Sequence, residues 1–208
     1  MKKEELDFYL QYSGSVEVSS MSRYDLKNLI ATGESSFLEF KHRVASPEKI
    51  AKEIAAFCNT TGGTILIGVA DNGEMVGVES YMEEEFWINQ AAKEVCIPEV
   101  DLRIELMNIG NRDILIVKVP EAPKKPVYLK GKKSRKVFIR QEDESVLASD
   151  EYVEMLKLGE EEEGVTFEYG ENEQLLFRFL KEYSEITVER FSKLINVTTY
   201  RAAKILVN

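Results

Sequence analysis

The apolar positions of this chain change period several times, and each change marks an element. Ser22 to Ile30 reads as a short capped helix with Leu26, Leu29 and Ile30 inward. In Phe37-Leu38-Glu39-Phe40-Lys41, Leu38 and Phe40 alternate with Glu39 and Lys41, the pattern of a half-buried strand. Ser46-Pro47-Glu48 opens a helix: serine caps free N–H groups, proline suits the first position, and glutamate meets the positive dipole end. Ile50, Ile54, Phe57 and Cys58 repeat at helical spacing, and Gly62-Gly63 stops the run. Thr64 to Val69 is apolar nearly throughout, as in a strand covered on both faces. Asp71-Asn72-Gly73 predicts a hairpin turn with positive φ at both central positions, and Glu74 to Val78 its partner strand.

Tyr81 to Cys96 follows as a helix whose Glu83-Glu84-Glu85 run reads as a solvated first turn, ended by Ile97-Pro98. Asp101 to Met107 and Ile114 to Val119 alternate around a turn and predict a second hairpin extending the first sheet. Leu38, Phe40, Ile65, Ile67, Ile104 and Val117 are expected to share one core. Ala148 to Glu151 caps a last core helix through Met155 and Leu158. The fold class expected is α+β: a mixed β-sheet with hairpins and packed helices, then a small all-helical, helix-turn-helix domain. Residues 1–20 read as an arm, with a helical face of Leu6, Tyr9, Leu10 and Tyr12 and a short strand at Val16 to Val18. Residues 21–158 form the main domain, 159–171 an acidic linker and 172–208 the helical module.

Composition narrows the class. At 208 residues, 44% hydrophobic and 31% charged, the chain is long enough for a sizeable core and has the balance of a globular protein. No apolar run reaches membrane-spanning length and no apolar core follows Met-Lys-Lys-Glu-Glu, so the expected location is the cytoplasm, with no membrane partner. Cys58 and Cys96 lack metal-ligand spacing and read as free, buried thiols. His42 is the sole histidine, which leaves a His-paired nucleophile or a His-type zinc site little to work with. No P-loop sequence occurs, so autonomous ATP hydrolysis is not expected, and no cofactor is called for.

The net charge of −10 argues against indiscriminate nucleic-acid binding, but screening lets a local patch act alone. Lys124 to Arg140 holds eight cations and no acid, in a hairpin-like pattern around Gly131. Lys130, Lys132, Lys133, Arg135, Lys136 and Arg140 are its candidates for phosphate contact. The plain alternative is a solvated lysine loop balancing Glu142-Asp143-Glu144. Near the C-terminus, Leu175, Leu176, Phe179 and Leu180 predict one helix. Thr187 caps a second, Asn196-Val197-Thr198 turns, and Thr198 caps a third carrying Tyr200, Ala202, Ala203, Ile205 and Leu206. That layout matches a helix-turn-helix. From Ile186 to Asn208 four cations face one acid, and Thr198, Thr199, Tyr200, Arg201 and Lys204 are the candidate DNA contacts. A three-helix packing or dimerisation element is the alternative.

Three motifs occur in order: G-E-S-x-x-x-E-F-K at Gly33 to Lys41, A-F-x-N-T-x-G-G at Ala56 to Gly63 and I-G-V-x-D-x-G at Ile67 to Gly73. Together they resemble the Schlafen-type AlbA domain, and Lys136 to Arg140 with Ala148 to Glu151 resembles its closing strand and helix. The resemblance covers about Met21 to Leu158 and implies DNA binding. The C-terminal stretch resembles winged-helix modules of bacterial regulators, although the chain stops at Asn208, where a wing would begin. In eukaryotic Schlafen relatives, carboxylates of the first motif and of the hairpin aspartate are associated with metal-dependent RNA cleavage. That pattern falls on Glu34, Glu39 and Asp71, which would be both catalytic residues and ligands to Mg²⁺ or Mn²⁺. Structural roles for the same three are the alternative: a cap, an ion pair and an Asx turn.

The function expected is a cytoplasmic DNA-binding transcriptional regulator, with RNA as an alternative ligand and a homodimer open to it. A metal-dependent ribonuclease is the first alternative, and a structural or oligomerisation protein the second.

Overall fold

The computed structural model describes residues 16–131, 135–158 and 170–207. The arm's expected helical face and residues 159–169 of the expected 159–171 linker lie outside the described residues. The fold class is α+β, as expected. In chain order the elements are β1 (Val16–Val18), α1 (Arg23–Ala31), β2 (Leu38–Lys41), α2 (Pro47–Asn59), β3 (Gly63–Ile67) and α3 (Tyr81–Gln90). A π turn (Ala91–Val95), β4 (Cys96–Ile97), β5 (Arg103–Asn108), β6 (Asp113–Val119), β7 (Tyr128–Leu129), β8 (Lys136–Gln141) and β9 (Glu144–Leu147) follow. The chain ends with α4 (Asp150–Leu158), α5 (Glu171–Tyr183), α6 (Val188–Leu194) and α7 (Thr199–Val207). It divides into two units, the first ending at Ala148 and the second starting at Ser149.

Two sheets build the first unit. The larger runs β1-β5-β6-β3-β2. Its β2–β3 pair is parallel, which demands a crossover, and α2 supplies it. The capping signals act as read: Ser46 accepts from the Lys49 N–H, Pro47 starts the helix, and Gly62 beyond its end takes φ +72°. Gly63 is forced by space, since a Cβ there would lie 2.4 Å from the Phe57 ring. The hairpin of β5 and β6 extends this sheet as expected.

The single expected core is in fact two. In β2–β3, Phe40 is beside Leu66 and Glu39 beside Ile65, so neighbours in register share a face. Leu38, Phe40, Leu66 and Ile116 pack under Leu26 and Ile30 of α1. Ile65, Ile67, Ile104 and Val117 pack on the other face, against Ile50, Ile54 and Phe57 of α2 and Ile88 of α3. The alternation in β2 therefore does not mark a wet face: Glu39 is 5% exposed.

Other expectations are also corrected. Neither Asp71 nor Asn72 has positive φ; only Gly73 does, at +82°. The Gly73 N–H donates to the Ala70 carbonyl and the Ala70 N–H to the Glu74 carbonyl, a turn closed by a glycine bulge. Beyond it Met75 bridges back to Val69, and the Val76 and Gly77 N–H groups donate to the Gly68 carbonyl, in place of a full partner strand. In α3, Glu84 and Glu85 are buried rather than solvated, and Glu84 accepts the Val44 N–H at 2.7 Å.

The smaller sheet, β4-β7-β8-β9, contains the basic hairpin and is separate from the first. Its last strand comes from the acidic stretch, where Glu142, at φ +55°, turns the chain back. In the second unit α4 packs on α7, so it is not a core helix of the sheet domain, and α6 packs on α7. Phe191, Ala202 and Ala203 are buried there. No helix among the described residues is long and apolar enough to cross a membrane.

Candidate nucleic-acid interface

The basic stretch separates into cations held by the fold and cations left exposed. Arg140 is held. Its side chain is 1% exposed and lies over the Phe57 ring, 4.7 Å from the centroid. Nη1 donates to Glu39 Oε2 at 2.8 Å, Ser145 Oγ at 3.1 Å and Glu53 Oε2 at 3.4 Å. Nη2 donates to the Ser35 carbonyl at 2.7 Å and the Asp143 carbonyl at 2.9 Å. This corrects the expectation that Arg140 contacts phosphate: it clamps β8 and the β8–β9 turn to β2 and α2. Ser145 Oγ completes the cluster by donating to Glu53. Lys125 is held too, donating to the Thr60 carbonyl at 2.6 Å and to Glu121 at 2.5 Å.

Lys130, Arg135 and Lys136 stay exposed and have no carboxylate partner among the described residues. The β7–β8 pairing sets Leu129 beside Lys136, so the cations flank one short ladder. Arg135 lies over the Tyr128 ring at 5.5 Å, which steadies its guanidinium. Lys132 and Lys133 lie outside the described residues.

The second unit carries the other candidates. Thr187 caps α6 by accepting from the Arg190 N–H, and Asn196 makes the turn at φ +52°. Thr198 Oγ1 accepts from the Arg201 N–H at 3.3 Å and starts α7. Thr198, Thr199, Tyr200, Arg201 and Lys204 are all exposed, Tyr200 at 70%. Ala202 and Ala203 face inward, so one stripe of α7 packs and the other is free.

The carboxylates proposed for a metal do not gather. Glu34 and Asp71 line one cleft of about 550 Å³ with Lys27, Gly73 and Met75. Glu34 Oε1 accepts the Phe40 N–H at 2.8 Å. Burial pushes its carboxyl above the ordinary value, against the pull of that N–H. Glu39 does not line the cleft; its oxygens take Arg140 and Lys41. Among the described residues no three His, Cys, Asp or Glu side chains group as metal ligands. The residues therefore do not fit the three-carboxylate Mg²⁺ or Mn²⁺ site that the resemblance implied.

The motif residues serve the fold instead. Asn59 donates to the carbonyls of Val127 at 2.9 Å and Phe138 at 2.8 Å and accepts the Val127 N–H at 2.7 Å. It thereby ties the end of α2 to the second sheet. Cys58 and Cys96 are free and buried, and burial pushes both thiols up to about 12. Sequence reasoning missed Glu53 and Ser145: Glu53 lies 87 residues from Arg140, and Ser145, though only five residues from Arg140, is placed by the β8–β9 turn and bonds Glu53 across 92 residues.

No match is found among curated proteins. Among solved structures, the DIP2311 protein from Corynebacterium diphtheriae is 14% identical with a TM-score of 0.46, covering 88% of this chain and 34% of its own. This chain thus spans about a third of that protein's length. The N-terminal domain of a Nitrosomonas europaea protein described as related to the ATP-dependent DNA helicase RecG is 20% identical with a TM-score of 0.44. That match covers 62% of this chain and 92% of the domain. The family model described as Schlafen, AlbA_2 matches residues 34–149. That span takes in the three motifs but for Gly33, the Arg140 clamp and both sheets' central strands, and the chain belongs to the Schlafen AlbA_2 family.

Proposed function

We propose that this chain is a nucleic-acid-binding protein, and more specifically a DNA-binding transcriptional regulator. One observation carries the reading. Exposed cations without carboxylate partners among the described residues occur in each unit: Lys130, Arg135 and Lys136 in the first, Arg201 and Lys204 in the second. In a protein of net charge −10, cations left unpaired are candidates for a polyanion.

The two surfaces suit different work. Cations flanking the β7–β8 ladder meet phosphates, which fixes position without reading sequence. In the helix-turn-helix reading, α7 is the recognition helix, with Tyr200 and Arg201 early on its free stripe and able to reach base edges. Selection from a pool of random duplexes tests the regulator reading. An enriched motif is expected with the intact chain, and Arg201→Ala is expected to flatten it. A pool that stays random after repeated selection would count against regulation. Hydrolysis is not part of this reading, because Glu39 is engaged by Arg140 and Lys41.

A further inference from the structure

The first unit holds a cleft of about 970 Å³ that the surfaces above do not use. Small-molecule sites occupy about 300–1,000 Å³, so a ring system fits within it. The start of α2, the end of α3, the π turn and β4 wall it, and Lys130 closes one rim. π turns inside helices recur at functional sites because they displace side chains from the helical register.

Its chemistry is specific. Trp87, the chain's only tryptophan, is half-buried and lines the cleft, providing an aromatic surface. Glu48, Glu94 and Gln90 supply acceptors. Gln90 Nε2 donates to Glu94 at 3.2 Å, while Gln90 Oε1 is buried without a donor among the described residues. A ligand N–H reaching that oxygen would relieve the cost of an unpaired buried acceptor. Lys93 is already taken by Asp101 at 2.5 Å. Lys130 has no carboxylate partner among the described residues, and its N–H donates to the Val95 carbonyl at 2.8 Å. The root of the basic hairpin is thereby fastened to the π turn, and the cleft opens beside the cations read as phosphate contacts.

Carboxylates in the cleft repel a phosphate and favour a group rich in N–H donors. We propose that the cleft receives one unstacked base of a single-stranded nucleic acid. The base lies against Trp87, its amino group meets the acceptors, and the adjoining phosphates lie along Lys130, Arg135 and Lys136. Adenine, cytosine and guanine carry an amino group with two N–H donors; thymine and uracil offer only the ring N3–H, so a wall with several acceptors disfavours them. The inference rests on the nucleic-acid reading and names its substrate class.

Trp87 fluorescence tests it directly, with short single-stranded homo-oligonucleotides, an abasic oligomer of equal length, a duplex and a lysine-rich peptide as probes. Oligo-dC and oligo-dA should quench Trp87 saturably and bind at least about fivefold tighter than the abasic oligomer and oligo-dT. Glu94→Gln keeps the tryptophan and should narrow the dC-over-dT preference. Trp87→Leu, checked for fold by circular dichroism, should lower labelled oligo-dC affinity to the abasic level. Salt-dependent binding that is equal for abasic and base-bearing strands, without quenching, would overturn the base site and leave the nucleic-acid reading standing. Quenching by the peptide alone would overturn it in favour of a protein ligand. Failure of every oligonucleotide and duplex to bind at low salt would overturn both readings.

Discussion

Arg140→Met asks whether the buried cation belongs to the fold or to ligand binding. The structure places five hydrogen bonds on its guanidinium and two carboxylates, Glu39 and Glu53, within reach. Methionine fills similar volume but leaves Glu39 with Lys41 alone and Glu53 with the Ser145 hydroxyl and no cation. Removing one partner of a buried ion pair costs about 3–5 kcal/mol. With a urea dependence of about 2 kcal/mol per molar, the midpoint should fall by roughly 2 M. Trp87 lies in the first unit, so its fluorescence follows the relevant transition. The triple variant Arg140→Met, Glu39→Gln, Glu53→Gln removes the stranded charges and should recover most of the loss. A midpoint shift below about 0.5 M, together with weakened nucleic-acid binding, would refute the clamp and return Arg140 to the surface.

Further predictions follow from single contacts. Glu84 has its carboxyl raised above 4.5, first by burial, so the native state holds its proton to higher pH than the unfolded chain. The associated stability is present below that ordinary value and lost as pH rises through the raised one. Glu84→Gln, which keeps an acceptor for the Val44 N–H, should therefore gain on the wild type as pH rises above 4.5 in parallel urea titrations; an unchanged difference would show that Glu84 ionises freely. Gly63→Ala would push a methyl into the Phe57 ring and should lower stability by about 1–3 kcal/mol; a neutral result would mean the ring has room to move. Arg201→Ala should reduce discrimination between duplex sequences by about 1–3 kcal/mol if its base contact is bidentate, measured by competition against random DNA. Unchanged affinity and preference would make α7 a packing element.

Local features were legible in the sequence where their cause was local. The Ser46-Pro47-Glu48 start of α2, the glycine stop after it and the β5–β6 hairpin each depend on neighbours a few residues apart. The Glu39–Arg140 pair spans 101 residues, and no short-range period reports it. Buried charge also imitates exposure: Glu39, Glu84 and Glu85 read as solvated because a glutamate carries no mark of its partner. The strand β9 was hidden for the same reason, since Glu142-Asp143-Glu144 looks like a loop while its backbone turns tightly enough to pair β8. For the candidate interface, the sequence pointed to the basic stretch, but only the fold separates Lys130, Arg135 and Lys136, exposed without a carboxylate partner among the described residues, from Lys125 and Arg140, which are engaged.

The most direct measurement for the nucleic-acid reading is a titration of the intact chain with labelled duplex DNA across a salt series, beside Lys130→Ala/Arg135→Ala/Lys136→Ala. Each phosphate neutralised contributes about 0.9 to the slope of log K against log salt. Wild-type binding should weaken as salt rises, and the triple variant should bind less tightly with a slope shallower by about 2–3. Equal slopes for the two proteins, or no binding by the wild type at the lowest salt, would contradict it.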